Sequence, residues 1–425
     1  MKRYRLHLAI PLLMGFLLLL AGLPSAWGVA YVQCPEDTDG DGDLSNNADL
    51  PNVQCMSLTG GDGWVTMADG RELYIFSFSD VSAVPAADIL DVGVFRANSP
   101  APTIATRQGD ELYLTLTNVG TFNRPDLFDP HTVHYHGFPN ASAIFDGLPE
   151  SAVAVFPQAS LTYYYNNIEP GTYMYHCHVE ATEHMQMGML GNLYVDPIQN
   201  QTGYGGNPAA TVAGKEGGPG PYGYVYNDGD GSTAFDKEFP IQLQAFDHFF
   251  HDASRDTQPL PFADMIDTYP TINGRGYPDT TLATPDPADG SLPGKHPAIP
   301  ADSTANPPQP VGSLIKINRA TEGTRILLRV SNLGVVQHYT LTVLGIPMKV
   351  VGRGARLLRG PGQAVGENVF YDTNVVNLGG GETTDVLLDT SGVAAGTYFL
   401  YATNLNHLSN NAEDYGGYMT EIVIQ

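Results

Sequence analysis

Tyr175-His176-Cys177-His178, followed by His184 and then Met189, is the stretch on which the reading of this chain turns. A single cysteine between two histidines, with a further imidazole and a thioether downstream, is a metal-ligand run rather than a packing pattern. Thiolate, imidazole and a distant thioether form most of the ligand set of a blue-copper electron-transfer site. The remaining imidazole is offered upstream, in His131-Thr132-Val133-His134-Tyr135-His136-Gly137. Six of the twelve histidines thus fall in segments 131–136 and 176–184, a surplus that implies more than one copper.

Side chains alternate along an extended strand, so Cys177 faces one way and His176 and His178 the other, while His134 and His136 share a face. One face can gather His131, Cys177, His184 and Met189; the other can present His134, His136, His176 and His178. Zinc suits the imidazoles but leaves Met189 unexplained. Met185 and Met187 read as packing residues.

Working outward, the chain has 47 Gly, 32 Pro and no long run of helical period. Short β-rich segments recur instead, at 71–78, 111–118, 160–165, 173–178, 238–245, 313–317, 325–330, 339–343, 385–389 and 398–403. Each is bounded by turn formers, the pattern of antiparallel sandwiches. The expectation is an all-β protein of two sandwich domains, at 61–197 and 237–425, joined by a Gly/Pro-rich linker at 198–236. A similar stretch at 281–310 reads as a loop within the second domain. An internal repeat supports the division: Gly171-Thr172-Tyr173-Met174-Tyr175 matches Gly396-Thr397-Tyr398-Phe399-Leu400, and Gly109 to Asn118 matches Gly323 to Asn332. The chemistry is not repeated. Thr342-Val343-Leu344-Gly345 stands where the first half has His134-Tyr135-His136-Gly137, and Tyr401-Ala402-Thr403 where it has His176-Cys177-His178.

Lys2, Arg3 and Arg5, an apolar run from Leu8 to Leu23 and the small residues around Gly28 read as a secretory signal peptide over 1–30. No later segment is long and apolar enough to span a membrane, so a secreted or periplasmic product is expected. Cys34 and Cys55 fit a disulfide in that compartment, leaving Cys177 free for a metal. Segment 31–60 is acidic, and Asp37, Asp39 and Asp41 follow calcium-loop spacing without the closing Glu. It is either a calcium loop or a solvated acidic turn. A formal charge of −25 argues against nucleic acid and anionic lipid as partners.

These residues resemble the multicopper oxidases, specifically small two-domain exported members built from Greek-key cupredoxin sandwiches. The resemblance rests on Pro102-Thr103, Gly109-Asp110, His131–Gly137, Asp146-Gly147-Leu148-Pro149, Gly171–His178 and His184–Met189. Ile272-Asn273-Gly274-Arg275 and Gly380-Gly381-Glu382-Thr383 in the second half are weaker matches. It implies type 1 copper at His131, Cys177, His184 and Met189, accepting electrons from a small reductant or metal ion. It also implies that His134, His136, His176 and His178 are half the ligands of a type 2/type 3 cluster that reduces dioxygen. The family's cluster draws on four His-x-His units and this chain has two, so a homo-oligomer such as a trimer is expected, with His338 or His407 as candidates to complete a site. A copper nitrite reductase-like enzyme and a blue-copper carrier without turnover are the alternatives.

Overall fold

The computed structural model describes residues 32–45, 50–139, 141–203, 222–281, 313–362 and 365–425. The expected signal peptide, and nearly all of the expected loop at 281–310, lie outside them.

The first sandwich has eight strands: β1 Val53–Thr66, β2 Glu72–Asp80, β3 Ile104–Arg107, β4 Glu111–Gly120, β5 His134–Tyr135, β6 Ser160–Asn166, β7 Gly171–His176 and β8 Leu190–Asp196. They form two sheets, in the orders β2-β1-β4-β6 and β3-β8-β7-β5. The core between them is aromatic, with Tyr135, Tyr163, Tyr165, Tyr173 and Tyr175 all buried. Buried phenols need partners. Tyr175 donates to the carbonyl of Pro102 at 2.6 Å, and Tyr173 to that of Glu169 at 3.0 Å.

The second sandwich pairs a seven-stranded sheet, centred on Lys237–Phe246, Arg325–Asn332 and Glu382–Asp389, with a five-stranded sheet holding Tyr339–Val343 and Gly396–Ala402. Its core is largely aliphatic, including Ile241, Leu243, Leu328, Leu341 and Val386. The repeat is visible atom by atom. Gly109 and Gly323 both enter their strands at φ +94°, a conformation that a side chain would oppose. Asn118 and Asn332 each accept from the N–H two residues on, and donate to a carbonyl across the sandwich, of Val155 and Leu378. His134 pairs with His176 in the first domain, and Thr342 pairs with Tyr401 in the second.

Strand β7 is buried on both faces. Tyr173, Tyr175 and, just beyond the strand, Cys177 point into the first core. Thr172, Met174 and His176 alternate with them and meet the second domain: Met174 packs with Leu333, and Thr172 donates to Asp385 at 2.5 Å. At this junction Arg329 is wholly buried, donating to Glu238 at 2.7 Å and to Thr172 at 3.0 Å, with Asp196 at 3.6 Å and Asp385 at 4.0 Å.

Two features depart from the sequence reading. Strand β1 runs across the expected boundary at 60, tying the N-terminal segment into the first sandwich. The expected linker carries a helix at Gln199–Thr202 and a two-stranded hairpin, Gly223–Tyr224 with Ala234–Phe235. Tyr222, Tyr226 and Phe235 pack there on Leu327, Val351 and Leu387 of the second domain, so turn-rich composition conceals apolar anchors.

Candidate metal centre

The end of β7 delivers Cys177, and the following helix, Ala181–Met187, places His184 one turn in. Gly188 ends that helix at φ +117°, which allows Met189 to turn back and donate to the carbonyl of His184 at 2.8 Å. The N–H of Cys177 then donates to the carbonyl of Met189 at 3.1 Å. His131 is held by a two-way backbone bridge to Val155.

These turns converge on one point. Nδ1 of His184 lies 3.2 Å from the Cys177 sulfur and Nδ1 of His131 lies 3.8 Å from it. A Cβ at Gly60 would come within 2.9 Å of the His131 ring and 3.4 Å of the Met189 methyl, so these two groups share the wall formed by β1. Cys177, His184 and Met189 are fully buried, and His131 is nearly so. Burial opposes a charged thiolate, yet His184 and His131 outweigh it and hold the Cys177 thiol well below its ordinary range. Burial likewise opposes charge on His184, but the Cys177 thiolate and Asp129 raise that imidazole to about 10. A buried sulfur facing two ring nitrogens is a donor set for a cation. The donor set fits type 1 copper.

On the opposite face, His134, His136 and His176 bring ring nitrogens within 4.8 Å of one another. Each Nδ1 meets a backbone carbonyl: His134 that of Asp146 at 2.5 Å, His136 that of Gly381 at 3.1 Å, and His176 that of Cys177 at 2.7 Å. A carbonyl only accepts, so each Nδ1 carries the hydrogen and each Nε2 presents a lone pair. Nε2 of His136 and of His176 are 2.8 Å apart. Burial pulls His176 down to about 3 and also lowers His136. His178 lies outside this trio, though its ring touches His134 and stacks on His176. A cavity of about 510 Å³ opens beside the trio, lined by His134, His136, Asp146, Gly354, Gly381 and Thr383.

Two multicopper oxidase family models match the chain, over residues 86–200 and 244–422, together more than half of it. The chain belongs to the multicopper oxidase family. Among solved structures it is similar to the blue copper oxidase of Nitrosomonas europaea, at 19% identity and TM-score 0.57, covering 88% of this chain and 86% of that one. It is similar to the multicopper oxidase mgLAC at 17% identity and TM-score 0.58, with the same coverages. It is also similar to a copper nitrite reductase of Nitrosomonas europaea, at 14% identity and TM-score 0.52, over 88% of this chain and 94% of that one. No curated protein matches the chain. Family membership makes the protein an oxidoreductase and implies copper.

The family's trinuclear cluster does not fit this chain by itself. The second domain reaches the imidazole trio with a glycine carbonyl, and Thr342 and Tyr401 hold the positions equivalent to His134 and His176. His407 is buried between Tyr339 and Tyr418, and His338 lies against Gly379. Near the N-terminus Cys34 and Cys55 are joined, and Asp37, Asp39 and Asp41 approach one another. Asp37 accepts from the N–H groups of Gly40 and Gly42, an arrangement that an acidic turn forms without an ion. Among the described residues no helix is long and apolar enough to cross a membrane.

Two groups escaped the sequence reading. Asp129 places its carboxylate 3.8 Å from Nε2 of His184, and exposed Glu180 joins the same group. Asp129 lies two residues before His131, a signal present in the sequence. His251 donates into the first domain from the helix His248–Arg255, and nothing local announces that.

Proposed function

We propose that this protein is an exported copper-dependent oxidoreductase in which a small reductant or metal ion gives up single electrons at the His184 edge and dioxygen accepts them at the imidazole face. The observation that carries this reading is the double position of Cys177. Its sulfur meets His131 and His184, and its carbonyl accepts the Nδ1–H of His176 at 2.7 Å. One backbone unit therefore links the two donor sets. Copper held by His131, Cys177, His184 and Met189 would supply one-electron redox chemistry.

The chain's own residues do the rest. Burial of Cys177 and Met189 keeps water from the sulfur. Asp129 and Glu180 give the Nε2 edge of His184 a negative rim that attracts cationic donors. Dioxygen reduction consumes protons, and Asp146 sets a carboxylate in the cavity wall beside His134.

The test is oxygen uptake by the copper-loaded protein with a ferrous or phenolic donor. Intense orange-red absorption and donor-dependent uptake are expected, both lost in Cys177→Ser. Colour without uptake would mark a carrier, and no colour would overturn the thiolate assignment. Nitrite as acceptor is a second reading, favoured by the convergence of three imidazoles where the family's cluster needs more. Nitric oxide release without oxygen uptake would select it.

A further inference from the structure

We propose that the imidazole face binds a single metal ion, through Nε2 of His134, His136 and His176, so that each chain carries two coppers rather than a type 1 ion plus a trinuclear cluster. The inference rests on the copper reading above and narrows it.

Three observations carry it. With every Nδ1–H given to a carbonyl, neither His136 nor His176 has a hydrogen on Nε2, yet those nitrogens stand 2.8 Å apart. Two lone pairs at that distance repel unless a cation lies between them. Metal–imidazole bonds of about 2.0–2.1 Å, meeting near the right angle of tetragonal Cu(II), place their nitrogens about 2.9 Å apart, so one ion accounts for the approach.

The second domain closes one side of the site. Gly381 sits at φ +88°, and a Cβ there would fall 2.7 Å from the His136 ring. Its carbonyl orients His136, and the second domain brings Gly354, Gly381 and Thr383 to the cavity beside the trio but no imidazole. Finally, among the described residues His178 is the one other imidazole beside the trio, its ring against those of His134 and His176, and it is not among the ring nitrogens that converge within 4.8 Å; the histidines outside the two donor sets are committed elsewhere or remote. His248 bonds Thr268, His251 is enclosed between the carbonyls of Tyr74 and Gln186, His407 is enclosed by Tyr339 and Tyr418, and His338 stands exposed.

The experiment loads the purified full chain with Cu(II), removes the excess, and measures copper per chain by mass spectrometry beside quantitative electron paramagnetic resonance of the oxidised protein. Two coppers per chain are expected, both paramagnetic, one with the narrow hyperfine splitting of a thiolate site and one ordinary. His134→Ala and, separately, His136→Gln should each leave one copper with the blue absorption intact. Three or more coppers per chain, a spin-silent fraction, or one copper in the unmodified blue protein would each overturn the single-ion site. Loss of the blue signal with the ordinary copper retained would instead defeat the thiolate reading and leave this site standing.

Discussion

The carbonyl of Cys177 accepts a hydrogen bond from Nδ1 of His176, the residue before it, at 2.7 Å. One peptide segment therefore orients donors on both faces of the sheet, and a substitution on one face is felt on the other.

Met189 tests that coupling from the soft end. It is fully buried beside His131, and its backbone braces both Cys177 and His184. Met189→Leu preserves volume and removes only the thioether. The blue absorption should persist, with a higher reduction potential, because the axial donor tunes this type of site. Met189→Ala should in addition cost about 2–4 kcal/mol through the cavity it leaves. Redox titration and urea denaturation separate the two; an unchanged potential in Met189→Leu would remove Met189 from the ligand set.

Gly381 tests the second domain's part. Gly381→Ala forces a methyl toward the His136 ring at 2.7 Å and places a side chain at φ +88°, at a cost of roughly 1–3 kcal/mol. Metal at the imidazole face should be held less tightly, with the Cys177 absorption unchanged. Competition with a chelator reads this directly, and equal retention in the two proteins would show that Gly381 does not position His136.

Most of the ligand pattern was legible because its order is local. Alternation within 176–178 and 134–136 sorts the residues onto two faces before any tertiary contact is known. Strand β1 was not, because Gly60-Gly61-Asp62-Gly63 reads as a turn. Those glycines are small for a tertiary reason: a Cβ at Gly60 would meet His131, and one at Gly63 would meet Ala97 at about 3 Å. The contributions of Gly381 and the hairpin near Tyr226 also depend on partners distant in sequence, which periodicity cannot supply.

Asp129 should matter for donor choice rather than for folding. Its carboxylate is the charge nearest Nε2 of His184 and is mostly shielded from solvent. Asp129→Asn should slow reduction by cationic donors on the order of tenfold at low salt, with little change for neutral ones. Stopped-flow bleaching of the blue band with a matched charged and neutral donor measures the ratio. Equal slowing of both would mean that Asp129 acts on the site's structure instead.

Arg329 faces Glu238, Asp196 and Asp385 inside the domain junction, and burial pushes the Asp385 carboxyl up despite the Arg329 charge. Removing the one cation leaves clustered carboxylates in a dry site. Arg329→Met should therefore cost about 3–5 kcal/mol, and part of the loss should be regained at lower pH as a carboxyl takes up a proton. Urea midpoints of the two proteins at pH 7 and pH 5 would show this, and a pH-independent difference would contradict it.

His251 supplies the opposite pH dependence. It is fully buried, with Nδ1 2.6 Å from the carbonyl of Tyr74 and Nε2 3.0 Å from that of Gln186. Burial holds its pKa down to about 4, against an ordinary 6.5. Between those values the unfolded chain binds the proton and the folded one does not. The contribution to stability is therefore complete above about pH 6.5, declines as the pH falls, and levels out below about 4, a span of roughly 3 kcal/mol. His136 and His176 bend the curve the same way, so the comparison must be with a variant. His251→Leu should lower stability at pH 7 by about 1–3 kcal/mol, since a buried carbonyl loses its donor. Its further loss between pH 7 and pH 4.5 should be smaller than that of the unmodified protein. Parallel curves for the two proteins across that interval would mean that His251 is not the group whose protonation is resisted.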